Sequence, residues 1–410
     1  MATNTETLRH QNRAFVLAGL RELGRSAHTT LGEWSGLSSA SVSAITAELE
    51  AEGVLERVEQ VASSGRGRPR VLFGQSPGFA YLAMVRIATE RVEYSLVDFT
   101  GTLIDRFVEP RSPKERPATF IKKINKSLAR LAERSSIGVQ EIRAISLTTK
   151  GVVDPQSPAV LWTPVFDSHV IDFAEALSDF KSAEVYVKNE TTFSAQAVAQ
   201  RLRRNDASLE EGHRIAVLSL GHSIGLGVAT LKSHGRIDAF APPFGHMVDQ
   251  QQGPICRCGA QGCVEATAGF YGILRTAFGV PEDTLPARFV PLSEVDKLAN
   301  KARSGNREAE YAFRTASECL GLALARLDSL LDVSEITITG YGARYLDLLL
   351  PGINQRLEQT MQAKQGRLPK IKIELEETPL VDEGNIQWSL AKLDENRVAT
   401  RLLTDVKAAG

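Results

Sequence analysis

The sequence predicts an α/β protein that opens with a winged helix-turn-helix. Three observations predict it: three closely spaced helical segments followed by two short strands within the first 76 residues, a strand-rich α/β pattern from about Ala80, and a restart of that pattern near Ile215. A chain of 410 residues has room for two or three domains. Apolar residues make up 43% and charged residues 24%, a balance that excludes a disordered or fibrous protein and requires a buried core. The 48 basic and 49 acidic residues nearly cancel, so a broadly polycationic nucleic-acid binder is excluded and any DNA contact has to be local. The longest uncharged run, Ile215 to Leu231, is broken by His222 and several glycines and falls short of the roughly 20 apolar residues that span a bilayer. The opening MATNTETLRHQNR lacks the apolar stretch of a secretory signal, so a cytoplasmic protein with reduced thiols and no membrane partner is expected.

The first helix is expected over residues 13–24, where Phe15, Val16, Leu20 and Leu23 recur at helical spacing and Gly24 supplies a stop. A short second helix follows from Thr30 to Ser35. Gly36 makes the turn, and a third helix begins at a serine cap, Ser38 or Ser39. The segments VLERVEQ and RVLF read as the two strands of a wing whose loop runs from Val61 to Pro69. In that loop Gly65-Arg66-Gly67-Arg68-Pro69-Arg70 places three cations on thin backbone suited to a narrow minor groove, and its core resembles an AT-hook. Residues 1–75 carry eight arginines and eight glutamates, so the module is neutral, yet residues 61–75 hold three arginines and no acid. The start of the third helix offers Ser39, Ser41, Val42 and Ser43, which are too short for bidentate contacts to guanine. Ser39, Ser41, Val42, Ser43, Arg66, Arg68 and Arg70 are therefore the expected contacts to a double-stranded operator. One such module reads a half-site, so a homodimer or tetramer on a near-palindrome is expected.

Beyond residue 76 the segments YLAMVRIA, VEYSLVDF and TLIDRFVE read as three consecutive strands, followed by an amphipathic helix from Ala118 to Arg134. Strands are expected at Ile142–Thr148 and Val185–Lys188, a helix at Thr192–Arg204, then strands at Ile215–Leu220 and Gly225–Leu231, as if the unit were duplicated. A long helix from Glu308 to Leu331 carries the stripe Phe313, Ala316, Leu320, Leu324, Leu327 and Leu331, which is core, and a strand follows at Glu335–Thr339.

The most specific local signal lies between Gly245 and Glu265. His246, Cys256, Cys258 and Cys263 supply one imidazole and three thiolates, the donor set of a closed, tetrahedral structural zinc site with no open position for hydrolysis. Gly259 and Gly262 permit the tight turns that bring Cys263 back to the metal.

Gly245-His246, nine residues, and then Cys256-x-Cys258-Gly259-x-x-Gly262-Cys263-x-Glu265 resembles the signature of the ROK family of repressors and sugar kinases. The resemblance covers nearly the whole chain. It implies a winged helix-turn-helix over residues 1–76 and a two-lobed actin-like ATPase fold over 77–410, with lobes of about 77–190 plus the C-terminal helix and 191–385. In kinases of the family the first strand ends in an Asp-x-Gly-Gly-Thr phosphate loop; here the aligned residues are Arg86-Ile87-Ala88-Thr89-Glu90, with a carboxylate, Glu90, expected where phosphate would sit. The second phosphate loop survives in part as residues 221–227. The catalytic aspartate of the family is replaced by Glu190 after Asn189, a vestigial base whose extra methylene displaces the carboxylate. By the same resemblance Asn189, Glu190, His246 and Glu265 would bind a sugar or sugar-like effector, while Pro243 stands where a further glutamate is usual. The expectation is a non-enzymatic transcriptional regulator. The alternatives are an ATP-dependent sugar kinase with an accessory DNA-binding arm and a zinc-stabilised scaffold.

Overall fold

The computed structural model describes residues 3–59, 71–112, 115–165, 170–206, 208–287 and 290–400. It begins with helices α1 (Thr3–Leu23), α2 (His28–Ser35) and α3 (Ser39–Ala51), followed by antiparallel strands β1 (Leu55–Glu59) and β2 (Val71–Gln75). The first helix starts ten residues earlier than the apolar spacing suggested, because its N-terminal turns are polar and leave no apolar periodicity to read. Of the two serine caps, Ser38 is the one used: its side chain accepts from the Ser41 amide at 3.2 Å. Gly36 ends α2 in the left-handed conformation, as expected of a turn glycine.

The first lobe holds β3 (Tyr81–Ile87), β4 (Arg91–Asp98), β5 (Leu103–Pro110), α4 (Pro117–Arg134) and β6 (Ile142–Thr149). It continues with a small sheet of β7 (Val152–Val153), β8 (Ala159–Trp162) and β9 (Ile171–Asp172), then α5 (Phe173–Ala176) and β10 (Glu184–Asn189). Its main sheet is ordered β10-β6-β3-β4-β5. The second lobe holds α6 (Glu190–Asn205), β11 (Arg214–Leu220), β12 (Ile224–Leu231), β13 (Ile237–Phe240), α7 (Val264–Ala268), α8 (Phe270–Phe278), α9 (Leu292–Arg303) and α10 (Arg307–Leu331). It closes with β14 (Glu335–Thr339), α11 (Leu346–Leu357), α12 (Met361–Lys364) and β15 (Lys370–Glu374), giving the sheet order β13-β12-β11-β14-β15. In both sheets the first strand is central, its next two strands run antiparallel on one side, and two parallel strands follow on the other. The duplication expected from the sequence is thus a repeat of one topology.

Strand β6 is buried at every position because both faces of its sheet are covered. Ala83, Val85 and Ile87 face the buried stripe Phe120, Ile124, Leu128 and Leu131 of α4. Leu82 and Met84 face the other way, toward α13 (Glu377–Leu393) and the N-terminal helices. Each of these fully buried large apolar side chains contributes roughly 1.5–3 kcal/mol of transfer free energy. Helix α13 is continuous through residue 385, so a lobe boundary there would cut it. Its Leu390 and Leu393 belong with the first lobe, while its Gly384 lies so close to α6 that a Cβ would sit 1.8 Å from the Phe193 carbonyl oxygen. Helix α6 packs through Ala195, Val198 and Ala199 on Ile215, Val217 and Ala229 of the second lobe. The α6–α13 crossing is therefore the joint between the lobes.

The winged module is not a separate body beyond residue 76. Val16, Leu17 and Leu20 of α1 share one apolar cluster with Leu82, Val97, Phe99 and Leu390.

Candidate functional site: a charged cleft beside a cysteine–histidine cluster

The parallel strands β3, β6 and β10 end side by side, and open α/β sheets bind ligands at such carboxyl ends. Around these ends lies a partly open cleft lined by Lys150, Asn189, Glu190, Ser219, Pro243, His246, Glu265 and Glu377, with Trp162 as an aromatic wall. Glu190 opens α6 as its first residue and is 2% exposed. Arg86, near the end of β3, reaches it with Nε 3.1 Å from Glu190 Oε1 and donates through Nη1 to Thr378 Oγ1 at 2.7 Å. Burial alone would push the Glu190 carboxyl up; Arg86 and Lys150 outweigh it and hold it below the ordinary carboxylate range. The Glu190 Oε2 atom is buried without a hydrogen-bond partner.

The deep position at the end of β3 is thus filled by Arg86. Glu90 sits exposed on the β3–β4 turn, close enough to act on His222 of the 221–227 loop. That imidazole is held below its ordinary value, chiefly by burial. Asn189 lines the cleft, but its side chain is engaged within the protein. Its Oδ1 caps α6 by accepting from the Thr191 amide at 2.9 Å, and its Nδ2 donates to the Gly151 carbonyl at 2.6 Å. Glu265 accepts from the Ile224 amide at 2.9 Å, and burial lifts its carboxyl to about 7.

The side chains of His246, Cys256, Cys258 and Cys263 converge with their donor atoms all within 4.8 Å of one another. His246 Nδ1 lies 3.6 Å from Cys256 Sγ, and Cys258 and Cys263 Sγ are 3.7 Å apart. Tetrahedral coordination at about 2.3 Å per sulfur requires sulfurs roughly 3.8 Å apart, so the donor set fits a metal ion. Burial pushes the Cys256 and Cys263 thiols up, Cys263 to about 11; a bound cation would favour their thiolate forms. Gly262 has φ +72° and approaches the Gln250 carbonyl so closely that a Cβ would sit 1.7 Å away, which is why the loop needs glycine there. The His246 ring packs edge-on against Trp162 with centroids 4.8 Å apart, linking the cluster to the cleft wall.

On the N-terminal module, Ser39 and Ser43 are exposed on α3 and Ser41 is half-buried, its hydroxyl 2.8 Å from that of Ser38. Val42, expected among the DNA-facing residues, is fully buried and belongs to the module core, because it lies on the α3 face that packs against α1 and α2. Arg66, Arg68 and Arg70 lie outside the described residues. The sequence reading missed Lys150, Trp162, Ser219 and Glu377, and it missed the Arg86–Glu190 pairing. Lys150-Gly151 directly after the strand expected at Ile142–Thr148 was the available signal, since a cation at the end of a buried strand is unusual.

The family profile described as ROK family matches residues 84–378. The DNA-binding transcriptional dual regulator NagC of Escherichia coli strain K12 is 23% identical over 380 residues, 91% of each chain. Among solved structures, a ROK family transcriptional regulator described as a homologue of the E. coli MLC protein superimposes with a TM-score of 0.73 at 17% identity, over 97% of this chain and 100% of that one. A ROK family glucokinase from Streptomyces griseus, in complex with glucose and AMPPNP, superimposes with a TM-score of 0.53 at 21% identity, over 76% of this chain and 99% of that one.

Proposed function

The chain belongs to the ROK family, and on that premise we propose that it is a DNA-binding transcriptional regulator, a repressor, whose kinase-like lobes sense a sugar or sugar-like effector without phosphorylating it. The observation that carries the non-enzymatic reading is the Arg86–Glu190 ion pair. A general base has to accept a proton from a substrate hydroxyl, and its efficiency falls when the carboxylate is already stabilised as the anion. Glu190 is stabilised in that way, and the cation doing so stands at the end of the strand that feeds the first phosphate loop in kinases of the family. NagC, named as a DNA-binding regulator, aligns over 91% of this chain, a span too long to leave out the whole N-terminal module, which supports the DNA-binding half.

In this reading DNA is met by Ser39, Ser41 and Ser43 of α3 and by Arg66, Arg68 and Arg70 of the wing, in a homodimer or tetramer on a near-palindromic operator. The effector lies against Glu190, His246 and Glu265, with Asn189 shaping the loop behind them. The ion held by His246, Cys256, Cys258 and Cys263 is a structural zinc, which fixes the loop that carries His246 into the cleft. A ligand that binds closed lobes more tightly than open ones would shift the chain toward closure, and a coupling of roughly 1 to 3 kcal/mol to DNA affinity makes a usable switch.

The test has two parts. Duplexes selected from a random pool by the purified chain are titrated with salt; replacing Arg66 and Arg68 by Ala should flatten the slope of log affinity against log salt by about two contacts' worth. An unchanged slope removes the wing from the interface, and failure to select any duplex removes DNA binding. Incubation with ATP, magnesium and a panel of hexoses should give no sugar phosphate; robust transfer makes the chain a kinase with a DNA-binding arm.

A further inference from the structure

We infer that Lys150 is an effector-binding residue and that the cleft takes an uncharged polyol, excluding ligands that place a carboxylate or an ammonium group beside it; the inference rests on the effector-sensing reading above. Lys150 follows the last residue of β6 and lines the cleft. Its ammonium has three donors, yet among the described residues it makes neither a hydrogen bond nor an ion pair within 4.0 Å. Glu377 and Glu190 nevertheless act on it strongly enough to outweigh burial and hold it protonated, with Glu265 acting in the same direction and Arg86 against it. Lys150 therefore shares the cleft with Glu190, Glu265 and Glu377 without pairing to any of them.

The same cleft also holds an acceptor that is left over. Glu190 is 2% exposed, its Oε1 is taken by Arg86, and its Oε2 has no partner. Glu377 already accepts from the Ser219 hydroxyl. The buried Glu190 oxygen is costly until a donor meets it, and the partly exposed Lys150 ammonium in the same cleft still has donors to offer. A hydroxyl group is the bridging chemistry: its oxygen accepts from the Lys150 ammonium while its proton is donated to a carboxylate. A ligand carboxylate or phosphate at this point would satisfy Lys150 but would stand against the charges of Glu190 and Glu377. A ligand amine would stand against Lys150 and Arg86. Pro243 contributes no side-chain acceptor, so Lys150 and Glu190 become the groups that set orientation.

The experiment titrates the full chain by calorimetry with D-glucose, D-xylose, N-acetyl-D-glucosamine, D-glucuronate and D-glucosamine, and repeats the titrations with Lys150→Met and Lys150→Gln. At least one neutral sugar should bind the native chain, with the acid and the amine weaker by about tenfold or more. Both variants should keep the native melting temperature without ligand and lose about tenfold or more in affinity for that sugar. Native-like affinity in both variants overturns the role of Lys150 while leaving sugar sensing intact. Preference for glucuronate or glucosamine overturns the assigned ligand class. If no sugar in the panel binds the native chain, the sensing reading itself fails and this inference falls with it.

Discussion

At the residue scale, Arg86 organises the cleft, since its guanidinium engages one oxygen of the buried Glu190 carboxylate. Because Glu190 is buried, removing its partner alone leaves a charge in a low-dielectric site. Arg86→Ala should therefore destabilise the chain by about 3–5 kcal/mol in urea denaturation, and combining it with Glu190→Gln should recover most of the loss. Additive losses in the double variant would show that the pair is not coupled. His28 gives a second residue-scale expectation. Its ring stacks on Phe73 at 4.5 Å, its Nε2 lies 2.7 Å from Thr46 Oγ1, and burial, aided by Arg57, holds its pKa below 6.5. The unfolded chain takes up the proton first, so this stabilisation is complete above about pH 6.5 and is lost as pH falls through the depressed value. Between about pH 7.5 and about pH 5.5 the native melting temperature should fall more than that of His28→Gln, and equal falls would refute it. Neither pairing was legible in the sequence, because 104 positions separate Arg86 from Glu190 and no local pattern announces such a contact.

At the element scale, the loop from His246 to Cys263 is the part of the site that the sequence disclosed most fully. Four donors and three glycines within eighteen residues leave few ways to fold, and the four donor atoms do converge in the structure. If the ion is structural zinc, Cys258→Ser should lower metal content, measured by mass spectrometry, from about one per chain toward zero and lower the melting temperature together with it. Full occupancy in the variant would remove Cys258 from the ligand set. Helix α3 shows the opposite case. Its serines mark a cap and a short-armed surface, but which of them face out depends on the packing of α1 and α2, and Val42 falls on the inward face. Period and composition locate a helix; only its neighbours fix its rotation.

At the scale of the whole molecule, α1 is fastened to both lobes by adjacent residues. Arg21 grips the buried Asp394 with Nε and Nη2 at 2.7 and 3.0 Å and lies over the Phe99 ring of the first lobe. Glu22 accepts from Arg203 at 2.5 Å and from Gln200, both on α6 of the second lobe, while Trp34 of α2 packs near Gly235 of the same lobe. A change in lobe angle must strain one attachment or move the helix, so the DNA-reading module can register closure mechanically. Glu22→Ala should leave DNA affinity without ligand within about threefold of native, yet shrink the effect of a bound sugar from a factor of about 5–150 toward one. An undiminished ligand effect in gel-shift titrations would assign the coupling to another path. The sequence by itself determined the helices and strands of the N-terminal module, the repeated α/β unit and the set of four donors that could hold a metal ion, because each is written in short-range spacing or residue type. The tertiary structure alone decided that Arg86 meets Glu190, that Lys150 shares a cleft with three carboxylates and that α1 spans both lobes. Those facts depend on strands ending side by side and helices crossing, which are set by packing between segments far apart in the chain.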